Sequence, residues 1–305
     1  MRLKPRAKTT GNFINTYSHW VMLLAYLLLF FAFILLPIVL AAGLSFTSFN
    51  SVEIGSFQGL QNYLRAFTQD TVFMQKILPN TILYALIVGP GGYLLSFVVA
   101  WILSQLTKTA RTILAVILYI PSLISGVAVS TIWAVTFAGD RTGYLNNILI
   151  QMGIINEPVA WLQSSEYLMP IMIFVALWSS MGIGFLSMLS GILNVDREQY
   201  EAGLIDGISN RVQEVIYITI PNTKSQMLFG AVMAVVNTFN TTGLGVALSG
   251  SNPTPQYAGS LIVNHIDDIG FIRYEMGYAA ALSVLLLVIV WIFNKLAYKL
   301  FGTSD

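Results

Sequence analysis

Six stretches of this chain contain no Asp, Glu, Lys or Arg and are long enough to cross a bilayer: residues 9–52, 77–107, 112–139, 167–195, 225–266 and 276–294. An ionisable side chain at the centre of a spanning helix costs about 2.5–3.5 kcal/mol, so charge-free windows mark where a chain is able to leave water. At a rise of about 1.5 Å per residue, even the shortest window comes close to covering a hydrocarbon core of roughly 30 Å. The two longest invite further crossings, but their ends are polar: FTSFNSV closes the first, and LSGSNPTPQYAGS lies late in the fifth. One helix per window predicts an all-α membrane protein with six transmembrane helices. Composition agrees, since 56% of the 305 residues are hydrophobic and 10% charged, where a soluble domain carries about a quarter.

Arg2, Lys4, Arg6 and Lys8 precede WVMLLAYLLLFFAFILLPIVLAAGL. This run is longer than the roughly 7–15 residues of a signal core, so it is read as a retained helix. Several function classes drop out. A net charge of +1 without a clustered basic face gives no reason to expect nucleic acid. The absence of cysteine removes disulfides, thiolate zinc, iron–sulfur clusters and a thiol nucleophile. His19 and His265 form no helical ligand pair and read as polar residues at the membrane edge.

The basic residues set the orientation. With the N-terminus inside, Arg2, Lys4, Arg6, Lys8, Lys108, Arg111, Arg197, Arg211, Lys224, Lys295 and Lys299 are cytoplasmic, and Arg65, Lys76, Arg141 and Arg273 lie outside. Both termini are then cytoplasmic. So is the polar segment EAGLIDGISNRVQEVIYITIP, residues 201–221, between the fourth and fifth windows.

That segment interrupts an otherwise apolar pattern. Asp196 followed by Gln199 has the spacing of a capping box and predicts a short helix carrying Glu198 to Ile205. Gly207 stops it, and Ser209 or Asn210 caps a second helix with Val212, Val215 and Ile216 on one side. An interfacial hairpin is the competing reading. Against it, the exposed side is acidic, with Asp196, Glu198, Glu201 and Asp206 against Arg197, whereas anionic lipid attracts basic residues.

These residues resemble the EAA loop of binding-protein-dependent ABC importer permeases, whose pattern is E-A-A, three residues to a Gly, then I-x-L-P. The Asp206-Gly207 pair is similar to the carbohydrate-uptake branch, the maltose-type and oligosaccharide permeases. The position after the fourth of six spans extends the likeness over nearly the whole chain. Three details depart from the pattern: Gly203 replaces Ala, Ile208 replaces a small residue, and the stretch from Gly207 to Pro221 is one residue longer.

The resemblance implies the type I ABC importer permease fold: a single domain over residues 1–305, with a cytoplasmic tail at 1–18, a coupling-helix loop at 196–221 and an extracellular loop at 249–275. It implies that Glu201, Ala202, Gly203, Asp206 and Gly207 couple the chain to a separate ATPase. Glu201 would meet a basic residue, Ala202 and Gly203 would allow close approach, Gly207 would set the bend, and Asp206 would brace it or be solvated.

No G-x-x-x-x-G-K-[ST] phosphate cradle occurs in the sequence, so ATP and Mg2+ are expected in the partner and no cofactor in this chain. The implied partners are a second, different permease subunit, two ATP-binding subunits and an extracellular solute-binding protein. The implied location is the bacterial cytoplasmic membrane. The path is expected to face inward at rest and outward when the ATPases close.

Polar residues inside the windows are candidates for the solute path. Asn237, Asn240 and Thr241 share a helix face, and their amides and hydroxyls both donate to and accept from sugar hydroxyls. Bonding between neighbouring helices is the competing role. Trp178, beside Ser179 and Ser180, and Tyr119, beside Pro121, offer aromatic planes for a sugar ring or simply pack. GPGG at Gly89–Gly92 reads as a kink or close crossing. HIDDIGF and Arg273 in the loop before the last window face a binding protein or form a solvated connector.

Two other classes stay in view. A secondary transporter would carry an ionisable residue at depth, and a membrane-embedded enzyme would carry paired acids or a nucleophile with a base. The windows contain neither. An ABC permease for a non-sugar solute is the remaining alternative.

Overall fold

The computed structural model describes residues 20, 23–53, 55–124, 126–240 and 243–301. The helices run α1 (Leu23–Leu44), α2 (Gln61–Thr68), α3 (Phe73–Ser104), α4 (Lys108–Leu123), α5 (Gly126–Thr136), α6 (Tyr144–Gln151) and α7 (Leu168–Trp178). They continue with α8 (Ile183–Leu193), α9 (Arg197–Ile205) and α10 (Arg211–Glu214), which passes through a π turn, Val215–Thr219, into Ile220–Asn222. Last come α11 (Lys224–Asn240), α12 (Leu244–Ser249), α13 (Ile262–Asp267) and α14 (Met276–Phe301). The described residues contain no strand, only an isolated bridge between Thr47 and Phe57.

Among the described residues three helices, α1, α3 and α14, are each long and apolar enough to cross a membrane. The count rises to five when α4 with Ala128–Thr136, and α7 with α8, are each taken as one bent span. One uninterrupted helix per window therefore needs correction in three places. The third window parts after Leu123, the fourth bends by 43° between Trp178 and Ile183, and the fifth begins with α11, of 17 residues. Each break has a local cause. Pro121 sits two residues before the end of α4. After Trp178 come two serines, a Met and Gly182, whose hydroxyls and flexible backbone suit a turn better than a helix.

The chain divides into two compact units. In the first, Met1–Tyr63 with Ile269–Val284, the buried Asn62 amide donates to the Ser45 and Thr47 carbonyls at 2.8 and 2.9 Å. The Tyr63 hydroxyl donates to Ser45 Oγ at 2.8 Å. A Cβ on Gly277 would lie 2.1 Å from the Thr47 carbonyl oxygen, so only glycine lets α14 start where it does.

In the second unit, Leu64–Asp268 with Leu285–Asp305, helices α3, α8 and α11 make the most extensive mutual contacts. Small residues permit it, as membrane helices associate through close backbone approach. A Cβ on Gly184 of α8 would lie 3.1 Å from Gly230 Cα of α11, and one on Gly92 of α3 would lie 2.9 Å from Ser180 Cβ. GPGG is thus a close crossing, and Pro90 lies within a continuous α3. One apolar core gathers Tyr84, Leu168, Met172, Val175 and Leu248, and another gathers Ala100, Phe185, Met188 and Met227.

The connection from α5 to α7 is organised by Asn146, which is fully buried. Its Nδ2 donates to the carbonyls of Ala138, Asp140 and Val159 at 3.0–3.1 Å. Its Oδ1 accepts from Val159 N at 3.1 Å and Trp161 Nε1 at 2.8 Å. Replacing it by Leu strands two donors and three acceptors, so Asn146→Leu is expected to cost about 2–4 kcal/mol. The check is a lowered melting midpoint for the variant in lipid nanodiscs.

Next to it, the Asp140 carboxylate accepts from Thr142 Oγ1 (2.7 Å), Thr142 N (2.9 Å) and Gly143 N (3.0 Å), which holds it below the usual carboxylate range. A depressed pKa means that the charged form stabilises the turn. That contribution is present above the ordinary value of 3.8 and is lost as the pH falls through the lowered one. Amide exchange at Thr142 and Gly143 is therefore expected to gain on neighbouring loop amides only in that acid range.

Candidate functional site

Helix α9 begins after Asp196, whose backbone is extended as an N-cap requires, but its side chain makes no capping bond. The predicted capping box is therefore not formed. Gln199 is engaged elsewhere: its Oε1 accepts from Asn222 Nδ2 at 2.6 Å. The helix ends at Ile205, and Gly207 takes φ +95°, where a side chain would be strained. Of the two predicted caps for the following helix, Asn210 is the one used, its Oδ1 accepting from Gln213 N at 2.9 Å. Ser209 reciprocates by donating its N–H to Gln213 Oε1 at 2.9 Å.

The two arms of this elbow are fastened together. Besides the Gln199–Asn222 bond, the Tyr200 hydroxyl meets Thr219 Oγ1 at 3.2 Å. Gly203 is buried, and a Cβ there would come within 2.6 Å of Ile218 Cδ1 and 2.9 Å of Ile208 Cδ1. The departure of Gly203 and Ile208 from the family pattern is thus one feature: the larger side chain at 208 fills the space left by the missing methyl. The outer side is left open. Ile205 is 88% and Leu204 68% exposed, and Glu201, Ala202 and Asp206 are exposed beside them. The elbow presents an apolar tip flanked by carboxylates, on a short helix that cannot tilt without breaking its anchors.

Where the fourth window bends, a cavity of about 300 Å3 opens. Tyr119 and Ser122 of α4, Gly92 of α3, Ser179, Ser180 and Gly182 at the bend, and Asn237 and Thr238 of α11 line it. The carbonyls ahead of the bend accept twice, Val175 O from Ser179 N and Leu177 O from Ser180 N as well as from the side chains of the same two serines. Ser179 Oγ donates to Val175 O at 2.9 Å and Ser180 Oγ to Leu177 O at 2.7 Å.

The structure brings together some of the predicted path residues and separates others. Tyr119 and Asn237 share the cavity wall. Trp178 does not reach it, since its ring packs edge-on against Trp133 at 5.3 Å within the first apolar core. Asn240 ends α11, and Thr241 lies outside the described residues. Sequence reasoning missed Gly92, Ser122 and Thr238. The signal available for this region was the SSMG run, which marks a broken helix inside an apolar window.

His265 also departs from its reading as an edge residue. It is 7% exposed, its Nε2 lies 2.9 Å from Asp70 Oδ2, and its ring stacks on Phe73. His19 lies outside the described residues. The segment before α13 is no simple solvated connector, because Thr254, Ser260, Leu261 and Ile262 are buried. Asn80 Nδ2 donates to the Tyr257 carbonyl at 2.8 Å, and Ile262 N donates to Thr81 Oγ1 at 3.0 Å. Among the described residues no group of three or more His, Cys, Asp or Glu is placed to hold a metal ion.

With this geometry in place, comparison with known proteins is specific. Residues 92–300 match the family described as binding-protein-dependent transport system inner membrane component. The arabinooligosaccharides transport system permease protein AraP of Bacillus subtilis (strain 168) is 30% identical over 91% of this chain and 86% of its own length. The lactose transport system permease protein LacF of Rhizobium radiobacter is 25% identical over 96% of this chain and 97% of its own. A crystal structure of a bacterial ABC transporter involved in the import of the acidic polysaccharide alginate has a TM-score of 0.75 and 25% identity, covering 94% of this chain and 98% of that one. The alginate ABC transporter in complex with a periplasmic protein bound to alginate pentasaccharide has a TM-score of 0.77 at 23% identity, covering 98% and 100%.

The chain belongs to the family of binding-protein-dependent transport system inner membrane components. Within it, this is a permease of the ABC importer type, a transport subunit and not an enzyme.

Because the chain has no native cysteine, introduced ones report cleanly. Ser122→Cys and Ser180→Cys are expected to react with a small water-soluble thiol reagent, and Val175→Cys, which replaces a fully buried side chain, is not. Adding Gly92→Val should slow labelling at position 180, since its side chain occupies the 2.9 Å approach. Mass spectrometry of the labelled protein reads all three.

Proposed function

We propose that this chain is one of two different permease subunits of an ATP-driven importer that carries a sugar or oligosaccharide, delivered by an extracellular binding protein, across the bacterial cytoplasmic membrane. It crosses six times with both termini in the cytoplasm, and two separate subunits hydrolyse ATP with Mg2+. The saccharide reading is supported by relatives named for arabinooligosaccharides and lactose, which match nearly the full length of the chain.

The observation that carries the mechanism is the anchored, outward-turned tip of α9. Leu204 and Ile205 would enter a groove on the ATPase, with Glu201 facing a basic residue at its rim. Ala202 and the buried Gly203 let the helix sit close, Gly207 turns the chain, and Asp206 stays solvated beside the bend. The helix is tied to the α10 arm by the Gln199–Asn222 and Tyr200–Thr219 bonds, so motion of the groove is passed on rather than absorbed. From Thr223 the chain continues directly into α11, which carries Asn237 and Thr238 to the cavity. Tyr119 and Asn237 line this half of the solute path.

The test is reconstitution with the mate permease, the ATPases and the binding protein. Ile205→Asp is expected to weaken ATPase capture by about 2–4 kcal/mol, the loss of a central buried anchor. Glu201→Ala should lower ATP turnover stimulated by the loaded binding protein. Full stimulation in both variants would refute the elbow as the coupling element.

A further inference from the structure

The cavity at the bend has a chemical polarity beyond its location. Among the described residues, none that lines it is Asp, Glu, Lys, Arg or His. Four of its hydroxyls have their protons already committed to helix carbonyls: Ser122 Oγ to Tyr119 O (2.8 Å), Ser179 Oγ to Val175 O (2.9 Å), Ser180 Oγ to Leu177 O (2.7 Å) and Thr238 Oγ1 to Ala234 O (2.7 Å). A hydroxyl has one proton and two lone pairs, so each of these groups can offer a solute only acceptor capacity. Geometry inside the helices has therefore turned four of the six polar side chains of the described wall into acceptors, leaving Tyr119 and Asn237 as its side-chain donors.

We infer that this half of the path selects uncharged, hydroxyl-donating saccharides and disfavours those bearing carboxylate, sulfate or phosphate. The inference rests on the sugar-importer reading and narrows it. A neutral sugar ring carries several O–H donors that match these lone pairs. An anionic group is acceptor-only, so against the four committed hydroxyls it would meet lone pair with lone pair, with only Tyr119 and Asn237 left to donate and no cation in the described lining to replace its lost water.

The experiment uses the complete transporter in proteoliposomes, with a neutral oligosaccharide and its counterpart oxidised to the uronate at C6. The binding protein's affinity for each is titrated in parallel, and uptake is expressed per mole of loaded binding protein. The neutral solute is expected to be taken up at least about tenfold faster, the difference made by one or two mismatched hydrogen bonds. Thr238→Val and Ser180→Ala, which each remove one acceptor, should raise the KM for neutral uptake severalfold.

Equal uptake of the uronate per mole delivered would overturn the inference, as would an unchanged KM in both variants. Failure of both saccharide-loaded binding proteins to stimulate ATP turnover would overturn the sugar-importer reading itself, and the inference with it.

Discussion

Backbone amides and carbonyls that leave water must find partners within the chain, and in this fold serine and threonine hydroxyls add further bonds to carbonyls of their own helices. The bend after Trp178 is the clearest case. Two serine hydroxyls close onto carbonyls of the preceding turn, and the same bonding recurs at Thr81, Ser122, Thr223 and Thr238. Such bonds bend or loosen a helix and consume the hydroxyl proton. At Ser122, Ser179, Ser180 and Thr238 the same bonding leaves acceptors on the cavity wall.

The same economy links the elbow to the cavity. α9 is pinned to the segment leading into α11 by polar contacts at Gln199 and Tyr200 and by the seating of Gly203 against Ile208 and Ile218. α11 then packs against α8 and α3 on its way to Thr238. Force applied at Leu204 and Ile205 has a short covalent route to the cavity wall.

Much of this was legible in the sequence, because its strongest signals are local. Charge-free windows located the apolar helices, and Gly207 and Asn210 marked a stop and a start that the backbone uses as expected. What escaped was decided by tertiary partners. Asp196 and Gln199 have the spacing of a capping box, yet Asn222, 23 residues downstream, takes the glutamine. His265 is defined by Asp70, 195 positions away, and Trp178 by Trp133. Asn146 gave no signal, since an asparagine in an amphipathic segment looks ordinary until five polar groups converge on it. The cavity was half visible: Tyr119 and Asn237 stand out as polar residues in apolar runs, whereas Gly92 matters only because α3 passes so near Ser180.

The meeting of Gly184 with Gly230 carries a mechanical corollary. Two helices touching through bare backbone have no interlocked side chains to unseat at that point, so a small rotation about it demands no rotamer changes there. Flanking contacts, such as Gly191 against Gln226 and Gly230 against Met188, involve long, pliable side chains that follow such a turn. The crossing is built as a bearing: a fixed fulcrum at the start of α8 and near the middle of α11, about which the far end of α8 can swing.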